Sequence, residues 1–413
     1  MSIQNVNLQY TQINNDDLDT NESLTQSKSD LTKIDEPKSL CSKIVSFFAT
    51  YFFIVGLCVV LLIAFLDPSI GEKDGPLKPR ITSSWIAVII IFFMTGLMVR
   101  TTELKRASKF WGANILIESI VFILWPFLGW SIAMLLEQFD TMSAPLLDGL
   151  IITACLPTTL TSGTILTLNA DGNASIATIN AVLSNTMAVG LTPLLCFMIL
   201  HNLGSVKAGD ILYKITMRII IPFLGGQIVR WVSINKLNIV VDNYKKIFKK
   251  IPETCLLFIL FCGVSDSIYK GVDTKGIELV IVMVVCITLH LGLFVSIWWI
   301  LKLVPFCNRS FNVSDRVAVC MLCSRKSLAF GLPMIETLFG DSDYFGIYSV
   351  PIIILLPTGL IAGSLMIQPL QKYVANDERN KSELGMSLKD VEMDTANPSD
   401  MTPKSHDDFA LRL

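Results

Sequence analysis

Residues 155–163 read Cys-Leu-Pro-Thr-Thr-Leu-Thr-Ser-Gly, and residues 324–333 read Ser-Arg-Lys-Ser-Leu-Ala-Phe-Gly-Leu-Pro. Each stretch interrupts a window apolar enough to cross a bilayer. Proline there removes a backbone donor, and hydrocarbon supplies no substitute, so the freed groups must face protein, water or a ligand. Matching signals at Gly190-Leu-Thr-Pro193 and Leu356-Pro-Thr-Gly359 give four expected helix breaks, at Pro157, Pro193, Pro333 and Pro357. A proline kink bridged by Ser and Thr hydroxyls is the plain alternative. Thr159, Thr161 and Ser162 in the first stretch, and Ser324 and Ser327 in the second, offer oxygens to a small cation or polar solute. Asn180, Ser184 and Asn185 are spaced by four and five residues, near one helical face, and can aim further oxygens at the first break. Hydrogen bonding between packed helices accounts for the same residues without a ligand.

Ionisable side chains at membrane depth are costly unless paired or hydrated. Arg325 and Lys326 stand in the second broken stretch, while Glu118 and Asp266 carry the opposite charge at or near that depth. The expectation is that Glu118 meets Lys326 or Arg325 in an ion pair that a substrate or proton opens, with a static salt bridge as the alternative. His290 stands alone and reads as a packed neutral histidine. Cys320-Met-Leu-Cys323 has no second pair, so no metal site is expected. Phosphate-binding loops, dinucleotide fingerprints, zinc-protease motifs and serine-hydrolase elbows are missing from the chain, which predicts no cofactor and no enzyme activity.

These residues must be positioned by membrane helices. Of 413 residues, 52% are hydrophobic and 16% charged, against roughly a quarter charged in soluble domains. The formal net charge of −2 excludes a nucleic-acid binder held by bulk positive charge. Windows of about 20 apolar residues predict ten spans, at 44–66, 84–100, 114–136, 147–168, 174–200, 211–230, 252–269, 278–303, 316–339 and 344–371. Five plus five would invert the second half, making the spans at 147–168 and 316–339 counterparts. A polar tail over 1–41 and another over 374–413, which includes Thr402-Pro403, lack apolar periodicity and read as disordered, around a membrane domain at 42–373.

Basic residues mark cytoplasmic loops. Arg100, Lys105, Arg106 and Lys109 follow span 2, and Arg230, Lys236, Lys245, Lys246, Lys249 and Lys250 follow span 6, so both termini are expected in the cytoplasm. Lys73, Lys78, Arg80, Lys207 and Lys214 weaken that contrast without reversing it. The sequons at Asn308 and Asn312 then avoid the outer face and are expected to stay unglycosylated.

The pattern resembles the bile acid:sodium symporter superfamily, through ten spans in two inverted fives with broken, crossing spans 4 and 9. Phe92-Phe-Met-Thr-Gly-Leu97, Cys155-Leu-Pro157, Asn180 with Thr192-Pro-Leu-Leu195, and Pro222 with Gly226-Gln-Ile-Val-Arg230 carry the likeness. So do Asp266, Cys323-Ser-Arg-Lys-Ser-Leu328, Gly331-Leu-Pro-Met334 and Ser349-Val-Pro351. Together they resemble the divergent seventh-member branch that includes fungal regulators of calcium homeostasis. That resemblance implies an all-α polytopic plasma-membrane protein that restrains calcium influx. It also implies ion sites of oxygens at the breaks, where this chain instead carries Arg325 and Lys326. Fixed positive charge repels a bound sodium ion, so sodium coupling is not expected.

Three functions follow. The first is a carrier-fold negative regulator of calcium influx. The second is a secondary transporter of an organic anion whose charge meets Arg325 or Lys326. The third is a non-transporting partner of a calcium channel or another regulatory protein, acting through its cytoplasmic tails. The lipid bilayer and an unnamed small solute or ion are the expected partners, with no nucleic acid.

Overall fold

The computed structural model describes residues 52–99, 110–200, 213–232, 244–271, 275–303 and 311–395. The N-terminal tail, the end of the C-terminal tail with Thr402-Pro403, residues 44–51 of the first window, the Asn308 sequon, and Arg100, Lys105, Arg106, Lys109, Lys207 and Lys236 lie outside the described residues. The chain divides into two units, Met1–Gly56 and Leu57–Leu413, and the packing below is that of the second.

All regular structure among the described residues is helical. In chain order the helices are α1 Phe52–Leu66, α2 Pro79–Met98, α3 Trp111–Gln138, α4 Ala144–Ala154, α5 Ser162–Asn169 and α6 Ala174–Ile199. Then come α7 Tyr213–Val232, α8 Lys245–Tyr269, α9 Gly276–Leu303, α10 Val313–Cys323, α11 Leu328–Phe339 and α12 Phe345–Thr395. Among the described residues, eight segments are long and apolar enough to cross a membrane, with α10 and α11 counted as one. Val55–Leu66 and Ala144–Ala154 are apolar but shorter. This is a polytopic membrane protein.

Local sequence sets several helix ends. Asn173 caps α6 by accepting from the N–H groups of Ser175 and Ile176, 2.9 and 3.2 Å away. Asn312 and Asp315 form a reciprocal capping box at the start of α10, so the Asn312 sequon is spent on a helix cap. At the far end of α2, Gln227 and Arg230 of α7 donate to the last carbonyls, Gly96, Leu97 and Val99. The approach requires glycine on both sides: a Cβ at Gly96 would overlap the Phe223 carbonyl, and one at Gly226 the Phe93 carbonyl. Two of the sequence motifs, at 92–97 and 226–230, are thus halves of one contact.

Three expectations are corrected. Pro193 lies inside an unbroken α6, and Pro357 inside an unbroken α12, together with Pro351 and Pro369. A proline removes one helical bond and need not end the helix. Pro333 lies inside α11, and the break in that span falls at 324–327, without proline. Finally, α12 continues as helix to Thr395, so the boundary expected at 373 falls within it.

The broken span is hidden from lipid. Of the most apolar 18-residue window within Val313–Phe339, 94% is buried, against 28 to 56% for the corresponding windows of the other seven segments. An unwound backbone at membrane depth demands such enclosure.

Candidate functional site

The chain unwinds twice, over 155–161 between α4 and α5 and over 324–327 between α10 and α11, and the two unwound segments bond to each other. Ser327 N–H donates to the Pro157 carbonyl at 2.9 Å, and Thr158 Oγ1 to the Leu322 carbonyl at 2.6 Å. Carbonyls left without helical partners are then satisfied one after another. In the first segment Cys155 O accepts from Thr192 Oγ1, Leu156 O from Lys326 Nζ, Pro157 O from Ser327, and Thr158 O from Asn185 Nδ2. At the second, the last two carbonyls of α10 are taken too, Leu322 O by Thr158 as well as Arg325 N–H and Cys323 O by the Trp125 indole at 2.6 Å, and Ser324 O accepts from His290 Nδ1 at 2.7 Å. A carbonyl acceptor requires the proton on Nδ1, which sets the His290 tautomer. Three different helices, α3, α6 and α9, therefore brace the crossing.

Lys326 is 2% exposed and holds two carbonyls, Val121 O at 2.9 Å and Leu156 O at 2.7 Å, with its ammonium 5.0 Å from the centre of the Trp125 ring. The Val121 carbonyl is available because of a local sequence feature. Residues 120–124 form a π turn in which Trp125 N–H reaches back to Ile120 O instead of Val121 O. The next residue, Pro126, has no N–H to offer. Sequence thus creates an orphan carbonyl, and tertiary structure assigns it to Lys326. Arg325, also buried, donates to the Gly359 carbonyl of α12.

The expected pair between Glu118 and Lys326 or Arg325 is not formed. Both Glu118 oxygens are buried and make no hydrogen bond, although the Lys326 charge and Ser184 act on the carboxylate. The lysine is taken instead by carbonyls that have no helical donor. Asn180 Oδ1 is likewise buried and without a hydrogen bond, its amide nitrogen bonding Ile176 O at 3.0 Å. Ser184 accepts from Thr158 N–H at 3.3 Å. Glu118 on α3 and Asn180 on α6, which pack together, leave three oxygens unsatisfied beside the crossing.

Residues 51–372 match the sequence model of the SBF-like CPA transporter family. The chain belongs to that family. Among curated relatives, Sodium/bile acid cotransporter 7-B of Xenopus laevis is 29% identical over 78% of this chain and 92% of its own length. Sodium/bile acid cotransporter 7 of Mus musculus is 28% identical over 79% and 94%. The putative symporter YfeH of Escherichia coli is 28% identical over 73% and 87%. This SBF-like protein is a transporter-family member and not an enzyme, with the bilayer and a transported solute as its implied partners.

In this SBF-like chain, Thr159 is buried and accepts from Gly163 N–H at 2.9 Å. Thr161 is exposed and Ser162 half-buried, so neither joins the unsatisfied oxygens. Asp266 does not approach the span 9 cations: it pairs with Lys73 and Lys270, at 3.4 and 3.0 Å, on another face. Sequence reasoning passed over Trp125, Thr158 and the Val121 carbonyl, whose roles depend on a neighbour far along the chain. It also passed over Glu336 and Arg218, both buried within spans. The rule that flagged Arg325 and Lys326, charge at membrane depth, would have found these two.

Proposed function

We propose that this protein is a secondary transporter of an organic anion that works without sodium, with Lys326 acting as a tethered cation where the two unwound segments meet. The Lys326 ammonium on the Val121 and Leu156 carbonyls carries this reading. Carbonyl oxygens at such a break otherwise call for a bound cation or water. Here the protein's own charge meets that need, and a second cation at the same depth would be repelled. Lys326 and Arg325 against one carboxylate, Glu118, leave positive charge for an anionic solute. The unsatisfied oxygens of Glu118 and Asn180 are acceptors for the solute's donors or for a proton.

The architecture this mechanism uses is ten spans in two inverted fives, with rocking about crossed breaks. Hydrogen bonds between the two unwound segments support it. Of the relatives' names, the anionic bile acid agrees with the positive excess, while sodium conflicts with a tethered ammonium. We place the protein in the plasma membrane with both termini cytoplasmic. Lys73, Lys214 and Arg80, three of the five residues that blur the loop-charge contrast, are each paired with aspartate, so they add little net positive charge to their face. Control of calcium influx would then be an indirect result of moving another solute, and no residue at the crossing favours it independently.

The test is uptake of a panel of organic anions, taurocholate included, into proteoliposomes holding the native protein or Lys326→Ala. Uptake equal in sodium and in choline, and reduced at least tenfold by Lys326→Ala at matched protein, is expected. Uptake that requires sodium would remove the tethered-cation mechanism. Native-level uptake by Lys326→Ala would place the working site elsewhere, and radiocalcium uptake in cells lacking the protein checks the calcium role separately.

A further inference from the structure

A second charged cluster lies away from the crossing, where two groups of helices meet. Helices α7 and α8 each pack on α2, α2 and α8 both lie against α11, and α8 also lies against α12. Most polar bonds in the cluster join one group to the other, while Asp266 bonds within the first, to Lys73 and Lys270. From α2, Ser83 Oγ donates to Glu336 of α11 at 3.3 Å and Ser84 Oγ donates to the same oxygen. From the connection before α2, Lys73 Nζ donates to Ser342 O at 2.8 Å and lies 3.6 Å from Asp343. Lys214 of α7 pairs with Asp341, and Lys270 at the end of α8 pairs with both Asp266 and Asp343. Arg218, stacked 4.3 Å over the Trp85 ring, acts on Glu336 and Asp341.

We infer that this cluster is a latch holding one entrance to the crossing shut, made and broken as the two helix groups rock; the inference rests on the transport reading. Charge balance argues against a ligand site. Lys73, Lys214, Lys270 and Arg218 face Asp266, Glu336, Asp341 and Asp343, leaving no net charge for an ion to neutralise. The strengths also suit a reversible contact. Asp341 and Asp343 have side chains 72% and 57% exposed, and such pairs are individually weak and easily exchanged for water. Glu336 is buried and hydrogen-bonded across the groups to Ser83 and Ser84, which fixes the register on closing, while buried Asp266 holds Lys73 and Lys270 in place on their own side. Together with Lys73, Ser83 and Ser84 they line a small cavity between the groups.

A rigid link joins latch and crossing. Ser327 N–H binds Pro157 O at the start of α11, and Glu336 lies nine residues further along the same helix, about 13 Å at 1.5 Å per residue. Releasing Glu336 frees the far end of the rod whose near end holds the crossed segments. The five-residue connection to α12, 340–344, carries Asp341 and Asp343 on the same lever.

Hydrogen–deuterium exchange of the full-length protein in lipid nanodiscs decides it without any solute. The Asp341→Asn, Asp343→Asn double variant is expected to exchange at least tenfold faster over 71–87 and 336–347, with α4 and α9 unchanged. The charge swap Lys214→Asp, Asp341→Lys is expected to retain native protection. Unchanged exchange in the double variant, acceleration through every helix, or loss of protection in the swap would each overturn the latch. Absence of anion uptake in the proteoliposome experiment would overturn the transport reading, whatever the exchange result.

Discussion

Lys326 illustrates how one side chain changes meaning between chain and fold. In the sequence it is a cation that needs an anion; in the fold its ammonium is satisfied by two neutral carbonyls and an aromatic face. Such an arrangement is favourable because charge-assisted hydrogen bonds are roughly twice as strong as neutral ones. It also relieves carbonyls that would otherwise be stranded. The latch carboxylates follow a different rule. The Lys270 ammonium hydrogen-bonded to Asp343, and that of Lys214 to Asp341, hold both carboxyls below the usual aspartate range. A depressed pKa contributes stability above the unfolded value and loses it as pH falls through the folded one. Stability from these pairs is therefore constant between pH 8 and about 5, begins to fall near the ordinary value of about 3.9, and is lost only as pH drops through the lower folded values. Melting curves at pH 7, 5 and 3.5 should show a full difference between native protein and the Asp341→Asn, Asp343→Asn variant at the first two and a smaller one at the third.

At the scale of elements, proline acts on what lies before it in the chain. Pro126 follows a π turn in α3, and Pro222 follows another at Thr216–Ile220 in α7, where Ile221 N–H reaches Thr216 O. The turn in α3 supplies Lys326 with a carbonyl. Pro126→Ala restores an N–H and allows Trp125 N–H to return to Val121 O, in competition with the lysine. Alanine is favoured over proline inside a helix by about 3 kcal/mol, so the variant is expected to melt at or above the native temperature while anion uptake falls severalfold. Uptake at the native rate would show that the π turn is only a packing feature. The sequence marked Pro157 and Pro333 alike, yet only Pro157 lies in an unwound segment. The second break is maintained from outside, by Trp125, Thr158 and His290 donating to its carbonyls, and no local signal encodes that.

For the whole molecule, the crossing and the latch both lie within residues 57–395, at the two ends of α11. Transport is therefore expected to survive removal of 1–41 and 396–413 together, measured as anion uptake at matched protein levels. Loss of uptake with intact folding would favour the reading in which the tails do the work. The latch also explains an ambiguity in the loop charges. Lys73 and Lys214 weaken the contrast between faces when counted as isolated cations, but in the fold each is neutralised by aspartates far along the chain.

The membrane class, the helical architecture, the family likeness and the charged stretch at 324–327 were legible in the sequence, because apolar length and intramembrane charge are penalised by lipid whatever the fold. Asn180, Ser184 and Lys326 could be marked as neighbours of a break by residue type and spacing alone. Their partners could not. Whether Lys326 met Glu118 or a carbonyl depended on which acceptors α3 and the unwound segment after α4 brought within about 3 Å. Whether Asp266 faced the crossing or the latch depended on which side of α8 met α11. Hydrogen bonds act over a few ångströms between residues up to 269 positions apart, so the tertiary structure decided the pairing while the sequence determined only which groups would need a partner.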